Sequence, residues 1–97
     1  MYAVIFKARI KQLDKQYTVT AKRMRELAIN HYGCLSFSSY TEGNEEIAIS
    51  YWSNEADIVK WKQDPEHIAA QEMGRNCWYI SYSVEVTEII RRYQQDL

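Results

Sequence analysis

Two alternating runs near the ends of the chain constrain its fold more than anything else in it. From Tyr2 to Arg9, the residues Tyr2, Val4, Phe6 and Ala8 fall on one side and Ala3, Ile5, Lys7 and Arg9 on the other. From Trp78 to about Ile90, the residues Ile80, Tyr82, Val84 and Val86 alternate with Tyr79, Ser81, Ser83, Glu85 and Thr87. A period of two is the signature of an extended strand, so each run predicts a strand. Extended throughout, the second run spans about 40 Å at roughly 3.3 Å per residue. A compact domain of this length has a radius of gyration near 13 Å and a diameter of only about 30 Å. The excess calls for a second subunit, and a two-fold homodimer is the commonest way to cover it. The alternative is a bulge near Glu88, where the alternation fails before Ile89 and Ile90.

Between these runs the pattern changes. Asp14 is placed to cap a helix in which Tyr17, Ala21, Met24, Leu27, Ala28 and His31 recur at steps of three and four. Gly33 suits its end, because it adopts the left-handed cap conformation at no steric cost. His31, in the last turn, reads as a structural residue favoured as a cation by the helix dipole. Cys34 to Thr41 and Glu46 to Trp52 read as strands separated by Glu42-Gly43-Asn44-Glu45, whose central Gly-Asn pair signals a hairpin. Ser53 is expected to cap a short helix holding Ile58 and Trp61. The order is strand, helix, strand, strand, helices, strand, an α+β chain on the ferredoxin-like βαββαβ plan. Helices then cover one face of an antiparallel sheet and leave the other for a partner.

Asp64 followed by Pro65 starts a new helix sharply, since Asp accepts from orphan first-turn N–H groups and Pro lacks only a donor that would go unpaired. From there His67, Ala70, Gln71 and Gly74 lie at i, i+3, i+4 and i+7. One stripe thus carries an imidazole, a carboxamide and two small residues, as the wall of a pocket would. Trp61 precedes it and Arg75 closes it. The competing stripe is Ile68, Ala69 and Met73; were that the buried face, His67 would sit in solvent.

Twelve basic against thirteen acidic residues, with no basic block, lack the electrostatic footprint of a nucleic-acid binder. The apolar runs are far shorter than a membrane span of about 20 residues, and Met1 leads directly into a strand pattern without a signal peptide. A cytoplasmic location without membrane contact is expected. Ninety-seven residues correspond to one domain, 1–97, with no repeat or linker signal. Cys34 and Cys77 lack metal or dithiol spacing and read as reduced packing residues, and no metal site is expected. Eight Tyr and three Trp suit either a site for a flat aromatic ligand or a dimer interface.

The run Ile47 to Trp52, then Ser53 to Ala56, Trp61-Lys62, Glu66-His67 with Ala70-Gln71 and Gly74-Arg75, and finally Tyr82, Glu88 and Arg91 to Tyr93, resembles the antibiotic-biosynthesis monooxygenase family of dimeric α/β barrels. The resemblance covers essentially the whole chain and is most specific in its second half. It implies a homodimer whose two sheets pack into a barrel, with one pocket per subunit. It also implies oxidation of a small phenol or quinol without metal, flavin or other cofactor. Such chemistry must deprotonate the phenol, stabilise the phenolate and exclude water. On this reading His67 is the base, kept neutral by the positive end of its helix. Arg75 holds the phenolate oxygen. Tyr51, Trp52 and Trp61 flank the ring, Tyr82 donates from the sheet, and Gln71 completes the binding wall. Haem-degrading relatives carry a first-strand Asn and a His ligand, where this chain has Lys7 and Gln71, although Trp61 is retained and His67 lies one turn earlier. A non-enzymatic binding or stress-response protein would use the same aromatic pocket without turnover.

Overall fold

The computed structural model describes residues 1–97. Its elements are β1 (Tyr2–Ile10), α1 (Lys15–His31), β2 (Ser36–Glu42), β3 (Glu45–Trp52), α2 (Glu55–Lys62), α3 (Pro65–Met73), a π-helical turn (Gly74–Trp78) and β4 (Tyr79–Glu88). The four strands form one antiparallel sheet in the order β2-β3-β1-β4. This is the ferredoxin-like α+β plan that the element order implied.

Local chemistry explains most boundaries. Asp14 accepts from the Tyr17 N–H at 2.9 Å and starts α1, and Gly33, at φ +79°, turns the chain out after it. Gly43, at φ +59°, occupies the first central position of the two-residue turn joining β2 to β3. Asn54, and not Ser53, caps α2 by accepting from the Asp57 N–H at 2.9 Å, one residue later than expected. Asp64 caps α3 with Pro65 in its first turn.

The strand pattern sorts the sheet into two faces. Register pairs Val4 with Ser50 and Val86, Phe6 with Ala48 and Val84, and Ala8 with Glu46 and Tyr82, so these residues share the helix-covered face. The core lies there: Val4, Leu27, Ala28, Cys34, Trp52, Ile58 and Trp61 form one buried cluster. Trp52 and Ile58 seal its centre. Ile5, Ile47, Ile49 and Tyr51 alternate onto the opposite face, which carries no helix.

Two expectations change. The last strand ends at Glu88, because Glu88 pairs with Tyr2, the first residue of β1, and beyond it the strand runs out of partner. Ten residues at roughly 3.3 Å give about 33 Å, within the 37 Å long axis of the molecule. The overshoot that pointed to a dimer is therefore absent. The irregularity in this pairing sits near Ile10, against Tyr79 and Ser81, and not near Glu88. Cys34 is buried as a packing residue, but Cys77 is exposed on the π-helical turn. No helix is long and apolar enough to cross a membrane.

Candidate active site

A cavity of about 370 Å³ lies between the helices and the sheet, within the range typical of small-molecule sites. The stripe on α3 forms one wall: His67, Ala70, Gln71 and Gly74 all line it. Of the rival stripe, Ile68 and Ala69 are exposed, Met73 is half-buried, and none of the three lines the cavity. Helical spacing alone had offered both faces; the packing of α3 against α1 and α2 selects the one with polar groups and small residues.

Trp61 roofs this end of the cavity. Its ring lies 5.3 Å from that of Trp52 and 6.0 Å from that of Phe37, and its indole N–H donates to the Met24 carbonyl at 3.3 Å. The His67 ring meets it edge-on at 4.3 Å. His67 is largely buried, and removal from water pushes its pKa down to about 4, with the nearby Lys62 charge acting in the same direction. The imidazole is therefore neutral at pH 7. Gln71 Nε2 lies 3.0 Å from His67 Nδ1. In that orientation the amide donates to Nδ1 and the ring proton sits on Nε2. Half a turn of the carboxamide instead sets Oε1 against an Nδ1–H and leaves Nε2 free to accept. Proton abstraction requires the second orientation.

Three expected site residues stand elsewhere. Arg75 is exposed on the π-helical turn, off the cavity wall, with Nη1 3.4 Å from the Tyr82 hydroxyl. The helix carrying His67 ends at Met73, and the wider turn that follows takes Arg75 out of line with the stripe. Trp52 is 0 % exposed and off the wall; its indole N–H donates to Ser50 Oγ at 2.9 Å, so it supports Trp61 from behind. Tyr51 belongs to the opposite sheet face, with the Arg92 guanidinium 6.0 Å from its ring. Trp61, Gln71 and Tyr82 do line the cavity. Lys7 falls on the helix-free face, one residue out of phase with the cavity-lining Phe6.

The other end of the cavity holds residues the sequence reading did not single out. Glu46 is 7 % exposed, and both its carboxylate oxygens are engaged: the Tyr17 hydroxyl donates to Oε1 and the Tyr79 hydroxyl to Oε2, the latter at 3.3 Å. Burial, followed by hydrogen bonding to Glu46, pushes the Tyr17 phenol far up. Burial likewise dominates the upward shift of Tyr79, to which the Glu46 charge adds. Both phenols stay protonated donors. Phe6, Tyr79, Tyr82, Tyr17 and Trp78 surround the carboxylate with ring centroids 5.2–6.3 Å apart between contacting pairs. One signal was available in the sequence. Glu46 alternates in phase with Ala48, Ser50 and Trp52, which puts an acid on the face of β3 that must be buried.

The cavity opens along β4, where Tyr82 is 39 % and Val84 40 % exposed. On its far side α1 and α3 are tied together: Arg23 grips Glu66 with three contacts of 3.0–3.2 Å, and the Tyr32 hydroxyl donates to Asp64 at 2.6 Å. The Tyr32 bond also holds the Asp64 carboxyl below its usual range.

Known proteins bear on this arrangement. The chain is 40% identical over 92 residues to the uncharacterized protein YqjZ of Bacillus subtilis, covering 94% of this chain and 81% of that one. It is 30% identical over 94 residues to the jasmonate monooxygenase ABM of Pyricularia oryzae, covering 92% of this chain but 43% of that protein, so the chain spans less than half the length of the fungal relative. Among solved structures, SnoaB, a cofactor-independent oxygenase from Streptomyces nogalater, superposes with a TM-score of 0.80 at 9% identity over 97% of both chains. Rv0793 from Mycobacterium tuberculosis does so with a TM-score of 0.81 at 14% identity, over 96% of this chain and 98% of that one. At such identities the superpositions establish the shared fold. The antibiotic biosynthesis monooxygenase family profile matches residues 1–73, from β1 through the whole of the His67 helix, and the chain belongs to that family.

Proposed function

We propose that this protein is a cofactor-independent monooxygenase acting on a small aromatic phenol or quinol, and that it works as a homodimer. The observation that carries the reading is a neutral, largely buried His67 imidazole on the wall of an aromatic cavity of about 370 Å³. Family membership supports the reaction class.

The substrate is the reductant and O₂ the oxidant. His67 takes the phenolic proton, and the phenolate passes one electron to O₂, giving a phenoxyl radical and superoxide. These combine through a new bond to a ring carbon. Cleavage of the O–O bond, with loss of that carbon's hydrogen, leaves a quinone and releases one water, so a phenol and O₂ become a quinone and H₂O. The protein's task is to hold the ring, accept the proton and shield the anion. A phenol of ordinary pKa about 10 is a much weaker acid than an imidazolium at about 4. Transfer between the isolated groups is uphill by about 8 kcal/mol. Attraction between imidazolium and phenolate in a poorly solvated site offsets part of this. With Arg75 off the wall, the cations that line the cavity are Lys22, Arg25 and Lys62. Trp61 and Phe37 flank a bound ring, and Tyr82 and Gln71 contribute polar edges. The apolar sheet face of Ile5, Ile47, Ile49 and Tyr51 is the surface on which two copies meet.

An oxygen electrode tests the reaction. The purified protein, stripped of metal and flavin, is given a panel of naphthols and quinols. Oxygen uptake with quinone formation is the expected result. Saturable quenching of Trp fluorescence without uptake for any member would instead identify a binding protein.

A further inference from the structure

We propose that Glu46, braced by Tyr17 and Tyr79, is a recognition site for a hydroxyl group on the ligand, so that the cavity selects neutral aromatics bearing a hydroxyl at each end. This deepens the aromatic-ligand reading of the same cavity and rests on it.

The cavity has two ends of different chemistry. At one, His67 and Gln71 sit under Trp61. At the other, Glu46 lies among Phe6, Tyr17, Tyr79 and Tyr82. Along β3 the two ends are set apart: Trp61 packs on Phe37, the strand partner of Ser50, four positions beyond Glu46. A flat molecule lying along the sheet meets these polar groups at its extremities and, between them, a lining in which Val4, Ala21, Met24 and Ala48 join the aromatic rings.

What Glu46 can recognise follows from its partners. A carboxylate has about four acceptor positions and no donor. Tyr17 and Tyr79 use one on each oxygen, which leaves acceptor capacity at a residue lining the cavity. Both phenols are held protonated, so each keeps its proton directed at the carboxylate. A ligand hydroxyl aimed at this end gains a charge-assisted hydrogen bond. A methyl ether there loses it and leaves acceptor capacity facing an apolar group, while a ligand carboxylate meets a like charge. The selection therefore works as much by exclusion as by attraction.

The geometry around Glu46 is built, not incidental. The π-helical turn, Gly74 to Trp78, delivers Tyr79 to it, and a side chain on Gly74 would lie 2.9 Å from two ring carbons of Tyr79. Trp78 packs edge-on to Tyr17 at 5.2 Å, and its indole N–H donates to Asp14, the cap of the helix that carries Tyr17. Both phenols are thus anchored independently of the ligand. π-turns of this kind are frequent at functional sites.

The test is anaerobic titration of Trp fluorescence with 1,5-dihydroxynaphthalene and with its monomethyl ether, so that binding is read apart from turnover. Wild type is expected to favour the diol by about tenfold, the value of a hydrogen bond to a charged group. In Glu46→Gln the preference is expected to fall to within about twofold. Glu46→Asp keeps the carboxylate but draws it back by one methylene, and a reduced preference there preserves the test should Glu46→Gln fail to fold. Equal affinities for diol and ether in wild type, or a preference unchanged in Glu46→Gln, would overturn the assignment, as would a preference unchanged in Glu46→Asp. Oxygen uptake is measured separately in air: uptake with no diol preference sinks the Glu46 assignment alone, and a diol preference with no uptake sinks the oxygenase reading alone.

Discussion

Burial sets the behaviour of His67, and the consequences reach both stability and rate. Its pKa falls from the ordinary value of 6.5 to about 4 on folding. Between those values the unfolded chain binds more protons than the folded one, so stability rises with pH through this window and is lost as the solution is acidified from about pH 6.5 towards 4. The gap corresponds to about 3 kcal/mol. Denaturant melts at pH 4.5 and 7 should show most of this difference in wild type and much less in His67→Asn. The same sign governs catalysis: activity should hold down to the low fours and fail below, where imidazolium cannot accept a proton. Gly74→Ala is a second residue-scale prediction. The added methyl would displace the Tyr79 ring and with it the bond to Glu46. A loss of about 1–3 kcal/mol in urea melts is expected, in the range for overpacking. The stripe carrying His67 and Gln71 was legible in the sequence because helical spacing is a local rule. Glu46 was not recognised, because its meaning depends on Tyr17 and Tyr79, which are 29 and 33 positions away.

At the scale of elements, α3 is positioned by its own start and by α1. The Asp-Pro start was readable because cap chemistry acts over three or four residues. The Tyr32–Asp64 and Arg23–Glu66 contacts, which fix the helix against α1, were not, since nothing in either segment names its partner. Asp64→Ala removes the Tyr32 bond and the cap on Glu66 N–H together. It should lower the melting temperature by a few degrees and speed amide exchange in the first turn of α3, with little change in exchange for β1 and β3. Ile58 anchors α2 beneath the Trp52–Trp61 pair. Ile58→Ala should cost about 2–5 kcal/mol, the range for emptying a well-packed site. The end of β4 was missed for a related reason: the strand stops where its partner β1 begins, and pairing is not written in a strand's own residues.

For the whole molecule, the order of elements carried the fold, since a βαββαβ chain with right-handed crossovers has few other solutions. Shape is where sequence reasoning went furthest astray, because it compared a strand length with an idealised sphere, and the molecule measures 37 × 31 × 21 Å. The dimer proposal now stands on the helix-free sheet face and not on a protruding strand. Sedimentation should give twice the chain mass, and placing Glu at both Ile47 and Ile49 should return a folded monomer. The central claim, that an imidazole in an aromatic chamber draws the proton from a phenol so that O₂ can oxidise it, is tested most directly by comparing kcat/KM for oxygen consumption between wild type and His67→Ala on a quinol that wild type oxidises. The account predicts a fall of roughly 100-fold or more, the usual worth of a positioned base, with the diol still bound. A His67→Ala protein that consumes oxygen as fast as wild type would contradict it.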